Sequence, residues 1–400
     1  MKVVQINTTA NSGSHGRIAE EIGRLLLEKG HKSYIAYGRT ANYSDSQLIK
    51  IGGKTDLAMH LIKTRLFDNH GFGSKNPTKK LMNEIERLNP DIIHLHNLHG
   101  YYLNIQLLFE YLKYSERPVI WTLHDCWSFT GHCAHFEAVN CWKWKDFCNK
   151  CPLKNVYPAS WIFDNSKKNF TRKKDLLIGL KNMTLVSPSQ WLAKHLKNSF
   201  LSTYDIKIIN NGVDLEKFKP RDSQEIRNTY NLNDNYVVGV ASIWTERKGL
   251  KDFIKLRKIV DPQIDIVLVG LTKKQIKSLP HTVKAISRTE STSELASIYS
   301  GASAFINPTY IDNFPSVNIE ALACGTPVIT YNTGGSPESI TPQTGVVVDK
   351  EDIPGLNNSI RKIMQSDDLY SKEYCRNLAV SKYSAGERFG DYLALYEEVI

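Results

Sequence analysis

Long apolar runs are missing from this chain. No uninterrupted stretch approaches the roughly 20 residues that a membrane-spanning helix needs, so insertion across a bilayer is not expected. The opening Met1-Lys2-Val3-Val4-Gln5-Ile6-Asn7 is too short for the apolar core of a secretory signal. The expected compartment is therefore cytoplasmic, where cysteines stay as reduced thiols or metal ligands. The fingerprint Gly-x-Gly-x-x-Gly is also missing after the first strand, and the second strand ends in Gly38-Arg39 rather than an acidic residue, which excludes a dinucleotide dehydrogenase. Asp-x-Asp occurs nowhere, against any diphosphate chelated through a metal. Solenoid repeats and low-complexity segments are absent.

What is present is a 400-residue chain with 41% hydrophobic residues, enough for two domains with their own cores. Lysine plus arginine (51) exceed aspartate plus glutamate (41) by ten, so the surface favours acidic partners. The basic run Lys167, Lys168, Arg172, Lys173, Lys174 lies near Trp161, Phe163 and Phe170. That mixture suits an anionic membrane surface, and equally a solvated helix face.

Val3–Ile6 reads as a buried strand, followed by a loop with Gly13 and Gly16 and a helix from about Arg17 to Lys29. Asp91–Leu95 is a second buried strand running into His96-Asn97-Leu98-His99, with His94 and His96 on one face. Val119–Leu123 is a third, ending in His124-Asp125, and ligands of open parallel sheets bind beyond such carboxyl ends. Cys126, Cys133, Cys141, Cys148 and Cys151 then crowd five of the seven cysteines into one short stretch. Cys148-x2-Cys151-Pro152 has the spacing of a zinc knuckle, and Cys133 with Cys141 complete four thiolates. A structural zinc and reduced core thiols are both open readings.

Residues 305–338 carry the chemistry. Phe305-Ile306 end a strand, Asn307-Pro308-Thr309 break it, and a helix is expected from Pro315 to Cys324, stopped by Gly325. The free N–H groups of Phe314, Pro315's neighbour Ser316 and Val317 make that N-terminus a phosphate site. Asp312 and Glu320, eight positions apart, flank it and are placed to hold hydroxyls on either side of a diphosphate.

Asp312-x7-Glu320 followed by Ala321-Leu322-Ala323-Cys324-Gly325-Thr326-Pro327-Val328 resembles the Glu-x7-Glu motif of the family 4 retaining glycosyltransferases. The resemblance runs over nearly the whole chain. Tyr101-Tyr102-Leu103-Asn104, the cysteine segment and Tyr157-Pro158 further resemble the subgroup that makes colanic-acid-type exopolysaccharides.

The resemblance implies the α/β GT-B fold, two facing Rossmann-like domains with the active site in the cleft between them. Residues 1–213 would bind the acceptor and 214–385 the nucleotide sugar, while a last helix over 386–400 would cross back to the first domain. It implies metal-independent transfer of a hexose, with retention, from a nucleoside diphosphate sugar to a glycan or lipid-linked glycan in exopolysaccharide, capsule or related cell-surface polysaccharide biosynthesis. In the family the first acidic residue, here Asp312, holds the sugar and the second, Glu320, the ribose. Lys248 matches the family's phosphate-binding Lys, Ser242 replaces its Arg, and Arg247 is the expected substitute. Arg288 falls where relatives contact the base, the Gly13/Gly16 loop where they close over the donor, and His124 near the donor phosphate. Peripheral contact with the inner face of the cell membrane is a further expectation, and nucleic acid is not an expected partner. Two rival readings are a sugar-nucleotide epimerase of similar fold and a non-catalytic basic membrane-binding module.

Overall fold

A computed structural model of the protein describes residues 1–366 and 369–400. The chain divides into two compact units, Met1–Asn210 with Phe389–Ile400, and Asn211–Arg388.

The first unit is built on β1 (Lys2–Asn7), β2 (Lys32–Tyr37), β3 (Gln47–Lys50), β4 (Ile92–Leu95), β5 (Val119–Thr122), β6 (Met183–Ser187) and β7 (Asp205–Ile208). They form one parallel sheet in the order β3-β2-β1-β4-β5-β6-β7. β4 and β5 are buried at every position, as expected of parallel strands covered on both faces, and read as largely apolar runs interrupted by His94 in β4 and closed by Thr122 in β5. Helical crossovers such as Gly13–Glu28, Lys75–Leu88 and Ile105–Ser115 cover the sheet. The first helix begins earlier than its apolar spacing suggests, because Gly13 and Gly16 belong to its first turn. A Cβ on Gly16 would stand 2.6 Å from Thr9 Oγ1, so only glycine lets that turn press against the loop.

The last helix, Ala385–Val399, contributes residues from Phe389 onward to this unit. Tyr396 and Tyr392 are buried there, with Tyr396 Oη 2.6 Å from His94 Nδ1 and Thr122 Oγ1 donating to Tyr392 Oη at 3.2 Å.

The second unit repeats the scheme with β8 (Tyr236–Val240), β9 (Asp265–Val269), β10 (Val283–Ile286), β11 (Ala304–Asn307), β12 (Val328–Tyr331) and β13 (Gly345–Val348). Their order is β10-β9-β8-β11-β12-β13, again all parallel. Period-2 alternation splits its core into two layers. Val238, Val267 and Phe305 pack on one face of the sheet, and Val237, Ile266, Ile306 and Ile329 on the other. The helix read as Pro315–Cys324 is Ser316–Ala323. Pro315 is its N-cap, with an extended ψ of 117°, and Gly325 follows with φ +79°.

Both sheets reverse their winding once, between β1 and β4 and between β8 and β11, and the crevice beyond the carboxyl ends at such a switch point is where doubly wound sheets take ligands.

Tyr396→Phe removes the hydroxyl partner of the buried His94 Nδ1 without opening a cavity. It is expected to lower stability by about 1–3 kcal/mol, read as a reduced Tm in a thermal melt.

Candidate functional site

In the second unit the loop after β8 folds into a short 3-10 turn, Glu246–Lys248, and then the helix Leu250–Arg257. Gly249 joins them at φ +75°, and a Cβ there would come 2.2 Å from the Pro308 carbonyl oxygen. That close approach brings the β8 loop against the β11 loop. Tyr310 N–H donates to the Arg247 carbonyl at 2.8 Å, and the Arg247 guanidinium donates to the Ile311 carbonyl. Lys248 Nζ consequently lies 2.5 Å from Asp312 Oδ2, with Arg247 Nη1 at 4.0 Å from the same oxygen.

A second glycine fixes Asp312 from behind. Gly334 (φ +59°) leaves no room for a Cβ, which would fall 2.1 Å from the Asp312 carbonyl oxygen, and Gly335 N–H donates to that oxygen at 2.9 Å. The helix Ser316–Ala323 is pinned by a buried amide: Asn318 Oδ1 accepts from Asn307 Nδ2 at 2.8 Å, and Asn318 Nδ2 donates to Ser336 Oγ (3.1 Å) and Ser339 Oγ (2.8 Å). Its first residues Ser316 and Val317 are half-buried, and Phe314 is buried. Glu320, also half-buried, accepts from Tyr299 Oη at 3.3 Å. Burial and the neighbouring Glu320 push the Tyr299 phenol well up, so it stays a donor to that carboxylate.

The structure therefore gathers Arg247, Lys248, Asp312 and the helix start at Phe314–Val317 at one switch point. Asp312, which the resemblance places on a sugar, is in this state the counter-ion of Lys248. Arg288 lies exposed on the loop after β10. The network of Asn307, Asn318, Ser336 and Ser339 went unnoticed in the sequence, although a polar Asn closing the apolar β11 is its visible trace.

In the first unit the carboxyl ends of β1, β4 and β5 carry a chain of histidines. Gln5 Nε2 donates to the Ala19 carbonyl at 2.8 Å, which fixes its amide so that Oε1 accepts from His96 Nε2 at 2.9 Å. Burial and the neighbouring His94 hold His96 well below the usual imidazole range, so it is neutral and its Nδ1 is a bare acceptor. His124 Nε2, 3.2 Å away, must then donate to it. His124 is itself held low by burial and by His96 and His15, and is likewise neutral. Its N–H is used on His96, so the ring has only Nδ1, a lone pair, for anything outside. The resemblance places His124 near the donor phosphate, and in this tautomer its N–H is spent on His96.

His15, in the first turn of its helix, is pushed down to about 4 by burial and by His99, and contacts Asn7 Oδ1 through Nδ1 at 3.0 Å. His94 is lowered to about 3 by burial and His124, with both nitrogens engaged, by Tyr396 and by Thr122 Oγ1 at 2.8 Å. His99 bridges Asp125 Oδ2 and Tyr157 Oη, each at 2.7 Å. Burial would raise the Asp125 carboxyl, but its hydrogen bond with His99 and the one from the Trp127 N–H hold the carboxyl low. Gln5, Asn7 and His15 were not singled out in the sequence, and His99 and Tyr157 were named there without this partnership. Gln5 and Asn7 interrupt an otherwise apolar strand, and that interruption was the available signal.

Cys133, Cys141, Cys148 and Cys151 line one cavity of about 10 Å³ with His132. Even so, among the described residues no group of three or more His, Cys, Asp or Glu side chains is arranged to hold a metal ion, so the geometry does not supply the four-thiolate zinc site that the spacing suggested. Cys148 Sγ accepts from Gly131 N–H at 3.3 Å, and burial pushes its thiol up to about 11. None of the seven cysteines is in a disulfide.

Solved structures share this architecture. Sucrose-phosphate synthase from Thermosynechococcus elongatus superposes with a TM-score of 0.74 at 17% identity, covering 100% of this chain and 98% of that one. Anabaena HepE, solved in complex with UDP, gives 0.70 at 15% identity and full coverage of both chains. The fold is GT-B, that of a large class of glycosyltransferases. The family model for glycosyltransferase family 4 matches residues 15–217, and that for group 1 glycosyl transferases matches 222–379. The chain belongs to glycosyltransferase family 4. WcaC of Escherichia coli (strain K12), a glycosyl transferase assigned to colanic acid biosynthesis, is 27% identical over 375 residues, 88% of each chain. The capsular polysaccharide biosynthesis glycosyltransferase CapM of Staphylococcus aureus is 27% identical over 176 residues, 40% of this chain and 45% of that one.

The buried histidines make stability depend on pH. His15 and His94 have folded values below the roughly 6.5 of a free imidazole, so the unfolded chain binds their protons first as pH falls. Their contribution is fully present above about pH 6.5 and is lost as pH drops towards 4, at up to about 1.4 kcal/mol per pH unit for each histidine. Urea unfolding at about pH 7.5, 6 and 5 should show a falling midpoint. A midpoint that rose on acidification would contradict the neutral assignment.

Proposed function

We propose that this glycosyltransferase moves a hexose, with retention and without a metal, from a nucleoside diphosphate sugar to a hydroxyl of a lipid-linked glycan during exopolysaccharide, capsule or related cell-surface polysaccharide biosynthesis. The observation that carries the donor site is the Lys248–Asp312 ion pair with Arg247 beside it, close in sequence to the start of the helix Ser316–Ala323. An arriving diphosphate outcompetes one carboxylate for two cations, since it brings more charge and also meets the free N–H groups of a helix N-terminus. Lys248 and Arg247 then face the departing phosphates, and Asp312, released from Lys248, accepts from hydroxyls of the sugar. Glu320, oriented by Tyr299, accepts from the ribose.

Preorganised cations aimed at the leaving diphosphate lower the barrier where charge develops, and no chelated metal is required by that arrangement. In the first unit the neutral His124 presents a lone pair on Nδ1, suited to accept from an acceptor or donor hydroxyl rather than to bind phosphate. The kinship with WcaC and CapM supports the polysaccharide setting. HepE in complex with UDP makes uridine diphosphate sugars the first donors to try.

Thermal shift against UDP, GDP, ADP and dTDP sugars tests the reading. A donor at about 100 times its Kd should stabilise the wild type by about 2.7 kcal/mol, and Lys248→Ala should lose that response. With the donor so found, Lys248→Ala should lower kcat/KM by about 10²–10³-fold, and Glu320→Gln should raise KM for the donor. No shift with any nucleotide, or an unimpaired Lys248→Ala enzyme, would overturn the donor site.

A further inference from the structure

The loop after β2 is braced on both sides of its arginine, and the arginine side chain is left over. Gly38 N–H and Arg39 N–H both donate to the Thr8 carbonyl, at 3.2 and 2.8 Å, and Ala10 N–H donates to the Thr40 carbonyl at 3.0 Å. Lys50 Nζ donates to the carbonyls of Gly38 (2.9 Å) and Arg39 (2.7 Å). Gly38 also presses on a ring, since a Cβ there would fall 2.1 Å from Tyr102 Cγ. The Arg39 backbone is thus fixed, whereas its side chain is exposed and, among the described residues, has no hydrogen bond or ion pair. Ordering a loop costs conformational entropy, and a charge that only meets water gains nothing from it.

Thr8 also joins this loop to the loop after β4. Its Oγ1 donates to the His99 carbonyl at 2.6 Å, and Gly100, at φ +116°, makes room for it, because a Cβ there would stand 2.7 Å from Thr8 Cγ2. The His99 ring holds Tyr157 Oη on Nδ1 at 2.7 Å, so Arg39 and Tyr157 hang from one frame. The Tyr157 ring is flanked edge-on by His70 and Tyr101, at 5.7 and 6.1 Å between centroids. Its hydroxyl is spent on His99 and burial raises that phenol, while the residue as a whole is 40% exposed. What it offers outward is therefore ring and not hydroxyl. The Arg39 charge reaches the same corner, drawing the Tyr101 and Tyr157 phenols down against the rise that burial brings.

The other charges around Arg39 are already committed. The Asp125 carboxylate is taken by His99 and by the Trp127 N–H, at 2.7 and 2.9 Å. Lys50 is spent on its two carbonyls and Arg65 on the Ala159 carbonyl at 3.0 Å, so neither competes for an incoming anion. The corner lies beyond the carboxyl ends of β1, β2, β4 and β5, where doubly wound sheets take ligands. A guanidinium fork matches carboxylate and phosphate oxygens two at a time, and a fixed aromatic face suits the C–H face of a pyranose.

We propose that Arg39 and Tyr157 form the acceptor subsite and that they select a saccharide bearing a negative charge, its pyranose ring lying on Tyr157 and its carboxylate or phosphate paired with Arg39. The inference rests on the glycosyl transfer proposed above. It narrows the acceptor from any glycan hydroxyl to a hydroxyl of an acidic glycan, one built with a uronic acid or a phosphorylated sugar. A neutral glycan would leave the guanidinium to water and gain nothing from its rigid mount. The donor diphosphate is not the anion meant, because the donor cations Lys248 and Arg247 belong to the second unit.

The experiment is saturation-transfer difference NMR of the full chain with methyl β-D-glucuronide, methyl β-D-glucoside 6-phosphate and the neutral methyl β-D-glucoside. At least one anionic probe should bind about tenfold or more tighter than the neutral one, and the better of the two tells carboxylate from phosphate. Arg39→Gln should bring the anionic probes to the level of the neutral glucoside with its melting curve unchanged, and Arg39→Lys should restore part of the preference. Tyr157→Ala should weaken all three probes. Where it fails to fold, the Arg39 variants carry the test, their side chain being exposed. Lys248→Ala should bind the anionic probe as wild type does while losing the nucleotide response, so the donor site and this subsite fail separately. The proposal is overturned if the neutral glucoside binds as tightly as both anionic probes, if none of the three binds, or if Arg39→Gln keeps the preference. It is equally overturned if Lys248→Ala abolishes anionic binding, which would put the probe on the donor site.

Discussion

Lys248 and Asp312 neutralise one another at the switch point of the second sheet, and the backbone around them is organised to keep them there. Gly249 lets the β8 loop touch Pro308, Gly334 lets a glycine turn touch Asp312, and Arg247 ties its carbonyl and its guanidinium to the β11 loop. Each is a close approach that a Cβ would forbid or a hydrogen bond that needs one geometry. A cation held by a replaceable carboxylate is a stored binding site for a stronger anion, with the reorganisation done in advance.

The first unit solves a different problem, that of placing imidazoles where water is scarce. Burial removes their charge, and Gln5 then decides which nitrogen of each ring carries the remaining proton, by way of His96 to His124. A side chain on β1 thus sets what His124 on the β5 loop offers. The same burial confines His94 to a structural role beneath Tyr396 and Thr122.

Much of the fold was legible because parallel strands covered on both faces have to be apolar along their length. Val3–Ile6, apart from Gln5, and Val119–Thr122 declare themselves that way, and the Gly325 stop follows from its backbone freedom. The helix Lys54–Phe67 did not declare itself, since its buried side chains His60 and Thr64 are polar while Met59, Ile62 and Phe67 are exposed, against the pattern that periodicity detects. The cysteine spacing brought four thiols to one cavity without a ligand set for a metal, for a related reason. Four thiols near one another in sequence need convergent side-chain directions to hold a metal, and spacing does not specify direction.

What the sequence by itself determined is the family, the doubly wound plan of each unit and the identity of the charged and glycine residues at the second switch point, because these depend on local propensity and on spacing along the chain. What only the tertiary structure decided is partnership: that Lys248 meets Asp312, that His124 spends its proton on His96, that Lys173 is inside and Trp161 outside. Partnership depends on residues distant in sequence meeting at hydrogen-bond range, and that distance is set by packing rather than by composition.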